Sequence, residues 1–185
     1  MPSQILTFLL DNLLGLFSLA LLLRFYIQWL RVPYYHPASR FIITVTDFAV
    51  RPARRWIPGW RGMDLSTLVL AWFTQFILLI GLSLLHGQGA GNLPGLALLA
   101  LLALVRLTLM ILLVSVIVQA VMSWVNPHSP LMPLLESFTQ PLLGIFRRVI
   151  PPIANVDLSP LFALLLLQVL LMFVGNLQYR VAVLF

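Results

Sequence analysis

The chain has 185 residues, of which 61% are hydrophobic and 9% charged, and its mean hydropathy is +1.03. Soluble domains run at about 45–50% apolar and about 25% charged, and a core of this size in water could not hide so much apolar surface; the composition excludes an ordinary water-soluble domain and points to a bilayer. Without cysteine there are no disulfides, iron–sulfur clusters or thiolate zinc sites, and the net charge of +6, its basic part all arginine set between apolar runs, suits anionic lipid headgroups better than nucleic acid.

A bilayer-crossing helix needs roughly 20 mostly apolar residues. Four such runs occur, at about Gln4–Leu30, Leu65–Leu85, Leu96–Trp124 and Leu158–Gln178. The first has no positively charged leader and no small-residue cleavage site, and Asp11 interrupts it, so it reads as a retained helix. A long break follows, from about Pro33 to Asp64. Within it Phe41, Ile42, Val45, Phe48, Ala49 and Pro52 fall on one helical face, and Arg40, Thr44, Asp47, Arg51 and Arg54 on the other. That stretch is too polar to span and predicts an amphipathic helix lying in the interface. After the second run, His86–Asn92 is a short glycine-rich turn, and Pro94 fits the first turn of the next helix. The second long break, about Asn126 to Asp157, repeats the amphipathic pattern with Leu131, Leu134, Leu135, Phe138, Leu142, Ile145 and Phe146. Pro52 and Pro141 are expected to kink or end the two interfacial helices.

The two breaks are copies of one another at a spacing of 93 positions. Pro37 meets Pro130, Thr46 meets Thr139, Arg54-Arg55 meets Arg147-Arg148, Asp64-Leu65-Ser66 meets Asp157-Leu158-Ser159, and Gln75 meets Gln168. Leucine matches in apolar helices carry little information, but matches at proline, paired arginine, aspartate and glutamine indicate an internal duplication. The symmetry departs at Arg51, matched by Gly144, and at Pro52, matched by Ile145. The fold class expected is an all-α membrane protein: four transmembrane helices as two tandem two-helix repeats, residues 1–92 and 93–185, each with one interfacial amphipathic helix. Two spans per repeat place both copies in the same, parallel, orientation, unlike the inverted repeats of many transporters. Arg40, Arg51, Arg54, Arg55 and Arg61 lie in the first break and Arg147 and Arg148 in the second, whereas His86–Gly95 has no arginine. The positive-inside rule then puts both long breaks in the cytoplasm and both termini on the opposite side, with Arg180 as a weak counter-signal.

The segments Arg24-Phe25-Tyr26-Ile27-Gln28-Trp29-Leu30-Arg31-Val32-Pro33-Tyr34-Tyr35-His36-Pro37 and Arg51-Pro52-Ala53-Arg54-Arg55-Trp56-Ile57-Pro58-Gly59 resemble the YggT family of bacterial membrane proteins, called YlmG in Gram-positives and plastids. The same is true of Trp124-Val125-Asn126-Pro127-His128-Ser129-Pro130 and Arg147-Arg148-Val149-Ile150-Pro151-Pro152-Ile153, so the resemblance covers nearly the whole chain in a two-copy arrangement. It implies a protein of the bacterial inner membrane with no accepted catalytic activity; the orientation read above would then place both termini in the periplasm. Members are linked to osmotic or salt tolerance and cation homeostasis, and plastid relatives to nucleoid distribution and cytochrome assembly. No catalytic residues carry over.

Several polar residues invite a role. Asp64 and Asp157 each precede Leu-Ser and a long apolar run, the position of a helix cap; the alternative is a carboxylate pair at the mouth of a cation path. Arg51, Arg54, Arg55, Arg147 and Arg148 suit docking of anionic lipid phosphates or of an acidic partner. Gln75 and Gln168 suit polar contacts between spans, and Arg24, near the end of its run, can snorkel to the interface. His36, His86 and His128 lack metal-ligand spacing, and neither a Walker motif nor a dinucleotide fingerprint occurs, so no metal, no cofactor and no catalytic set is expected.

Arg106 lies about 15 Å into the third run at 1.5 Å per residue, where a charge is costly and seeks a partner or a wet cavity. The upstream helices align at a spacing of 95, with Trp29 on Trp124 and Arg24 on Gln119; Asp11 then meets Arg106. An ion pair between Asp11 and Arg106 across the repeat axis is therefore expected, against the bland alternative that each reaches an interface by itself. Two functions remain open: a non-catalytic scaffold or accessory factor for other membrane proteins, alone or as a homo-oligomer, or a small oligomeric ion channel or transporter subunit. If the pair forms, Asp11→Arg alone lowers the yield of folded protein in membranes and the double swap with Arg106→Asp restores it. Equal yields of the single and the double variant, measured by detergent size-exclusion chromatography, rule the pair out.

Overall fold

The computed structural model describes residues 2–30, 32, 37–57, 59, 63–87, 92–149 and 157–184. These form six helices: α1 Pro2–Trp29, α2 Pro37–Ala53, α3 Leu65–Leu85, α4 Leu93–Val125, α5 Met132–Val149 and α6 Ser159–Leu184. Arg31, Tyr34, Tyr35, His36, Trp60, Arg61 and the Ile150-Pro151 motif lie outside the described residues.

Helices α1, α3, α4 and α6 are long and apolar enough to cross a membrane. They are built on leucine and alanine, strong helix formers that lose little on entering a helix. Only 17–22% of the positions in their most apolar windows are buried within the chain. Water would make that exposure costly; lipid does not. Helix α3, with 21 residues, is about 30 Å long, the thickness of the hydrocarbon. Helix α4, with 33 residues, is about 50 Å long and exceeds that thickness.

The chain resolves into two compact units, one of Met1–Val105 with Leu177–Phe185 and one of Arg106–Asn176. In the first, α1 and α3 run antiparallel. Ser18, Leu21, Leu22 and Phe25 of α1 are buried, as are Thr67, Ala71, Thr74 and Leu78 of α3. The Ser18 hydroxyl donates to the Ala71 carbonyl at 3.3 Å. Small and hydroxylated residues here let the backbones approach closely, as association between helices in lipid requires. The α3 residue Trp72 stacks on Phe76 with centroids 5.4 Å apart and donates its indole N–H to the Ala97 carbonyl of α4 at 3.1 Å.

Local signals end the elements. After α3, the His86 N–H donates to the Leu82 carbonyl at 3.0 Å and the Gly87 N–H to that of Leu84 at 3.1 Å. Gly87 has φ +72°, the left-handed conformation that glycine supplies without steric cost. Asn92 caps α4 by accepting the Gly95 N–H at 3.2 Å, with Pro94 in the first turn as expected. Two expectations change. Helix α6 continues past Gln178 to Leu184, through Arg180. Pro141 does not end α5, which runs on to Val149, whereas Pro52 sits in the last turn of α2.

In the second unit Val116, Phe138, Leu143, Ala163, Leu167 and Val174 are buried. The α1–α3 seam gives a direct test of packing. Ala71→Leu puts three extra carbons where exposure is 0% and is expected to cost about 1–3 kcal/mol through overpacking. Val69→Leu, on the exposed side of the same helix, is expected to be neutral; thermal unfolding in detergent compares the two.

Candidate functional site

The polar residues of the first unit gather where α1, the middle and C-terminal end of α2 and the start of α3 meet. Arg24 is central. It lies one turn and a half before the end of α1, yet its exposure is 3%. Its Nη1 donates to Thr46 Oγ1 at 2.9 Å and to the Ile43 carbonyl at 3.2 Å, and its Nη2 to Asp47 Oδ1 at 3.0 Å. Thr46 passes the chain on, donating to the Ile42 carbonyl at 2.6 Å. Asp47 also holds Arg51, at 2.7 Å. Snorkelling, the role expected of Arg24, is thus replaced by a tie between α1 and α2: the partners on α2 sit closer than bulk water and satisfy the guanidinium where it stands.

That tie decides which way α2 faces. Ser39, Thr46 and Val50 turn inward and are buried, while Phe41, Val45 and Phe48 turn outward, Phe41 and Phe48 with exposures of 70% and 72%. Phe48 stacks on Phe17 of α1, centroids 5.4 Å apart.

A second knot closes α2 onto α3. Arg54 Nε donates to Asp64 Oδ2 at 2.9 Å. The Gln28 amide of α1, oriented with its nitrogen toward the carboxylate, donates to Asp64 Oδ2 at 3.1 Å and accepts from Arg54 Nη2 at 2.7 Å. Ser66 donates its hydroxyl to Asp64 Oδ1. Asp64 stands at the N-cap position of α3, but its side chain takes no backbone N–H, which corrects the expected cap. Both carboxylate oxygens are already engaged by Arg54, Gln28 and Ser66, and it is the Asp64 carbonyl that receives the Thr67 N–H and hydroxyl, at 3.1 Å and 2.7 Å.

The second unit carries corresponding bonds with fewer charges. Arg147 Nε donates to Asp157 Oδ2 at 2.9 Å, as Arg54 does to Asp64. Here the carboxylate does cap, accepting the Ser159 N–H at 2.9 Å. Thr139 Oγ1 bonds Gln119 and the Leu135 carbonyl, as Thr46 bonds Arg24 and Ile42. Where the first unit has Arg24, Asp47 and Arg51, the second has Gln119, Gln140 and Gly144. The cation, its carboxylate and the second cation are absent together.

The other polar residues are placed as follows. Of the five docking arginines, Arg51, Arg54 and Arg147 are held by carboxylates, whereas Arg55 and Arg148 are exposed and have no ion-pair partner among the described residues. Gln75 is buried on α3, and Gln168, its counterpart on α6, is exposed. Asp11 is exposed on α1 in the first unit and Arg106 is exposed on α4 at the start of the second. Among the described residues no three histidines or carboxylates come together to hold a metal ion.

The family model described as CCB3/YggT matches residues 3–85 and 98–178. The chain belongs to the CCB3/YggT family. Among YggT relatives, the uncharacterized protein PA0392 of Pseudomonas aeruginosa is 37% identical over 172 residues, covering 91% of this chain and 87% of that protein. The uncharacterized protein YggT of Escherichia coli K12 is 34% identical, covering 92% and 89%. A protein from the proC 3′ region of Vibrio alginolyticus is 29% identical, covering 88% and 89%. No solved structure matches the chain.

Electrostatics keep the knots of this YggT chain charged. Burial acts to raise the carboxyl pKa of Asp47, but the Arg24 hydrogen bond and the charges of Arg24 and Arg51 outweigh it, and the group lies below its ordinary value. Burial likewise opposes, and Ser66 and Arg54 outweigh it, at Asp64; Ser159 and Arg147 do so at Asp157. A depressed carboxylate stabilises the fold above its unfolded pKa and loses that contribution as pH falls through the folded one. Thermal stability in detergent is therefore expected to be insensitive to these groups from pH 8 to pH 5 and to fall only below about 4. Arg24→Gln leaves Asp47 with Arg51 as its remaining ion-pair partner. Because Asp47 keeps that partner and 22% exposure, the expected loss is about 1–2 kcal/mol. Adding Asp47→Gln, which recreates the neutral arrangement of Gln119 and Gln140, is expected to restore most of it.

Proposed function

We propose that this YggT-family protein is a non-catalytic component of the bacterial inner membrane that organises or assists other membrane proteins, in the setting of osmotic stress and ion homeostasis. In this reading the long breaks face the cytoplasm, both termini face the periplasm, and residues 1–92 and 93–185 are parallel repeats. The match of one family model over two successive segments and the bonds recurring at a spacing of 93 support the repeat.

The observation that carries the functional reading is the division of the arginine pairs. In each pair the first member is spent on a carboxylate at the start of the next span, and the second, Arg55 or Arg148, projects outward. Outward arginine just past the end of a helix that exposes Phe41, Val45 and Phe48 fits a helix seated in headgroups, apolar face down. It offers cations to lipid phosphate and to an acidic partner at the same level.

Purification in mild detergent followed by mass spectrometry is expected to recover a reproducible set of integral membrane proteins. Arg55→Ala with Arg148→Ala is expected to lose that set with thermal stability unchanged. Purified protein in liposomes is expected to carry no ion flux; flux abolished by Arg106→Ala would replace this reading by the channel one. A reporter fused to the C-terminus and active in the cytoplasm would reverse the orientation.

A further inference from the structure

Gln168 and its neighbours form an exposed face along α6. Leu161, Leu165, Gln168, Met172, Gly175 and Tyr179 follow one another at steps of four, three, four, three and four, the 3.5-residue repeat of a coiled-coil seam. Leu161 and Leu165 are 55% and 53% exposed, and Met172 and Tyr179 are 76% and 71% exposed. Gln168 is exposed between them, and a Cβ added at Gly175 would meet nothing within 4 Å. The opposite side of α6, with Ala163, Leu167, Val174 and Val181, is the buried one.

Depth makes the glutamine informative. It lies nine residues into α6, about 14 Å from the helix start, close to the middle of a hydrocarbon layer about 30 Å thick. Acyl chains offer an amide no hydrogen bond, and leaving one unpaired there is unfavourable. Its counterpart on α3, Gln75, meets the same constraint by burial within the chain. Gln168, exposed in its own unit, takes no such bond there among the described residues.

We propose that the seam Leu161–Leu165–Gln168–Met172–Gly175–Tyr179 binds a second copy of this chain. Copies of one membrane protein insert in the same direction, so a two-fold axis along the membrane normal sets α6 parallel to its partner's α6 and brings equal depths together. Each Gln168 then meets its own counterpart. A carboxamide both donates and accepts, so it is complementary to itself, and one polar residue within an apolar seam fixes register. Gly175, two turns further along the seam, lets the backbones close. The inference rests on α6 crossing the membrane and does not depend on the accessory role.

The chain has no cysteine, so single cysteines report without background. Leu161→Cys, Leu165→Cys and Met172→Cys, on the seam, and Leu166→Cys, Leu170→Cys and Phe173→Cys, off it, are oxidised in native membranes with copper phenanthroline. Dimer bands several-fold stronger at the three seam positions are expected. Equal bands at all six, no bands, a maximum off the seam, or a cross-link to a different polypeptide each overturn the proposal. Energy transfer between labelled copies in liposomes gives the second readout. Gln168→Leu is expected to weaken association about threefold, the effect of one average interhelical hydrogen bond, and Gln168→Asn to retain part of it. Unchanged association of Gln168→Leu overturns the part given to the amide.

Discussion

A guanidinium held at the edge of the hydrocarbon organises the first unit. Arg24 is out of reach of water, and a charge so placed must be paired and hydrogen-bonded. Its partners come from one helix turn of α2: Ile43, Thr46 and Asp47. Satisfying Arg24 therefore fixes both where α2 lies along α1 and which side of α2 faces in. Once Thr46 and Val50 are inward, Phe41, Val45 and Phe48 have no choice but to face out, and the C-terminal end of α2 is placed for Arg54 to reach Asp64. The outward apolar face is a consequence of a polar bond on the other side of the helix.

The second unit keeps the same framework with less charge. Thr139 still bonds α4 and Arg147 still bonds Asp157, but glutamine replaces arginine at the centre. A neutral amide at that depth is cheaper to desolvate than a guanidinium, and without the cation there is no need for the carboxylate of Asp47 or for Arg51 beside it. Exposure of the Arg147–Asp157 pair, 45% and 40%, makes it a weak contributor, of order 0–1 kcal/mol. The corresponding Asp64 is 8% exposed and has Gln28 and Ser66 as well. The halves thus share a pattern of bonds and differ in how firmly each is drawn.

Much of this was legible in the residues. Runs of apolar residues located the four long helices to within a few positions, because length and hydropathy are the properties a bilayer selects. The α6 end was set too early at Gln178, because a polar residue near the edge of a span does not break a helix; α6 has no glycine or proline beyond Gln178 to stop it. The matched pairs at Thr46, Arg54 and Asp64 mark the right positions, but spacing cannot say who bonds whom: it offers Asp64 as a cap or a cation-path carboxylate and Arg54 to lipid phosphate or an acidic partner, and not to each other. Arg24 was the larger miss. Periodicity assigns depth and face but not the neighbour that arrives from a separate helix. A signal was nonetheless present: Arg51 fails to recur at Gly144, and Asp47 fails to recur at Gln140 in the same turn, while Arg24 aligns with Gln119. Three charges absent together are three charges that act together.

The ties within the first unit are short along the chain. Arg54 and Asp64 are separated by 10 residues, Arg24 and Asp47 by 23, and Ser18 and Ala71 by 53. The entropic cost of closing a loop grows only with the logarithm of its length, about 0.6 kcal/mol per doubling, but the order of closure follows synthesis. Each of these bonds needs no residue beyond α3. These ties among α1, α2 and α3 can therefore form while the rest of the chain is still on the ribosome, and the Trp72 bond to the Ala97 carbonyl is added when α4 arrives.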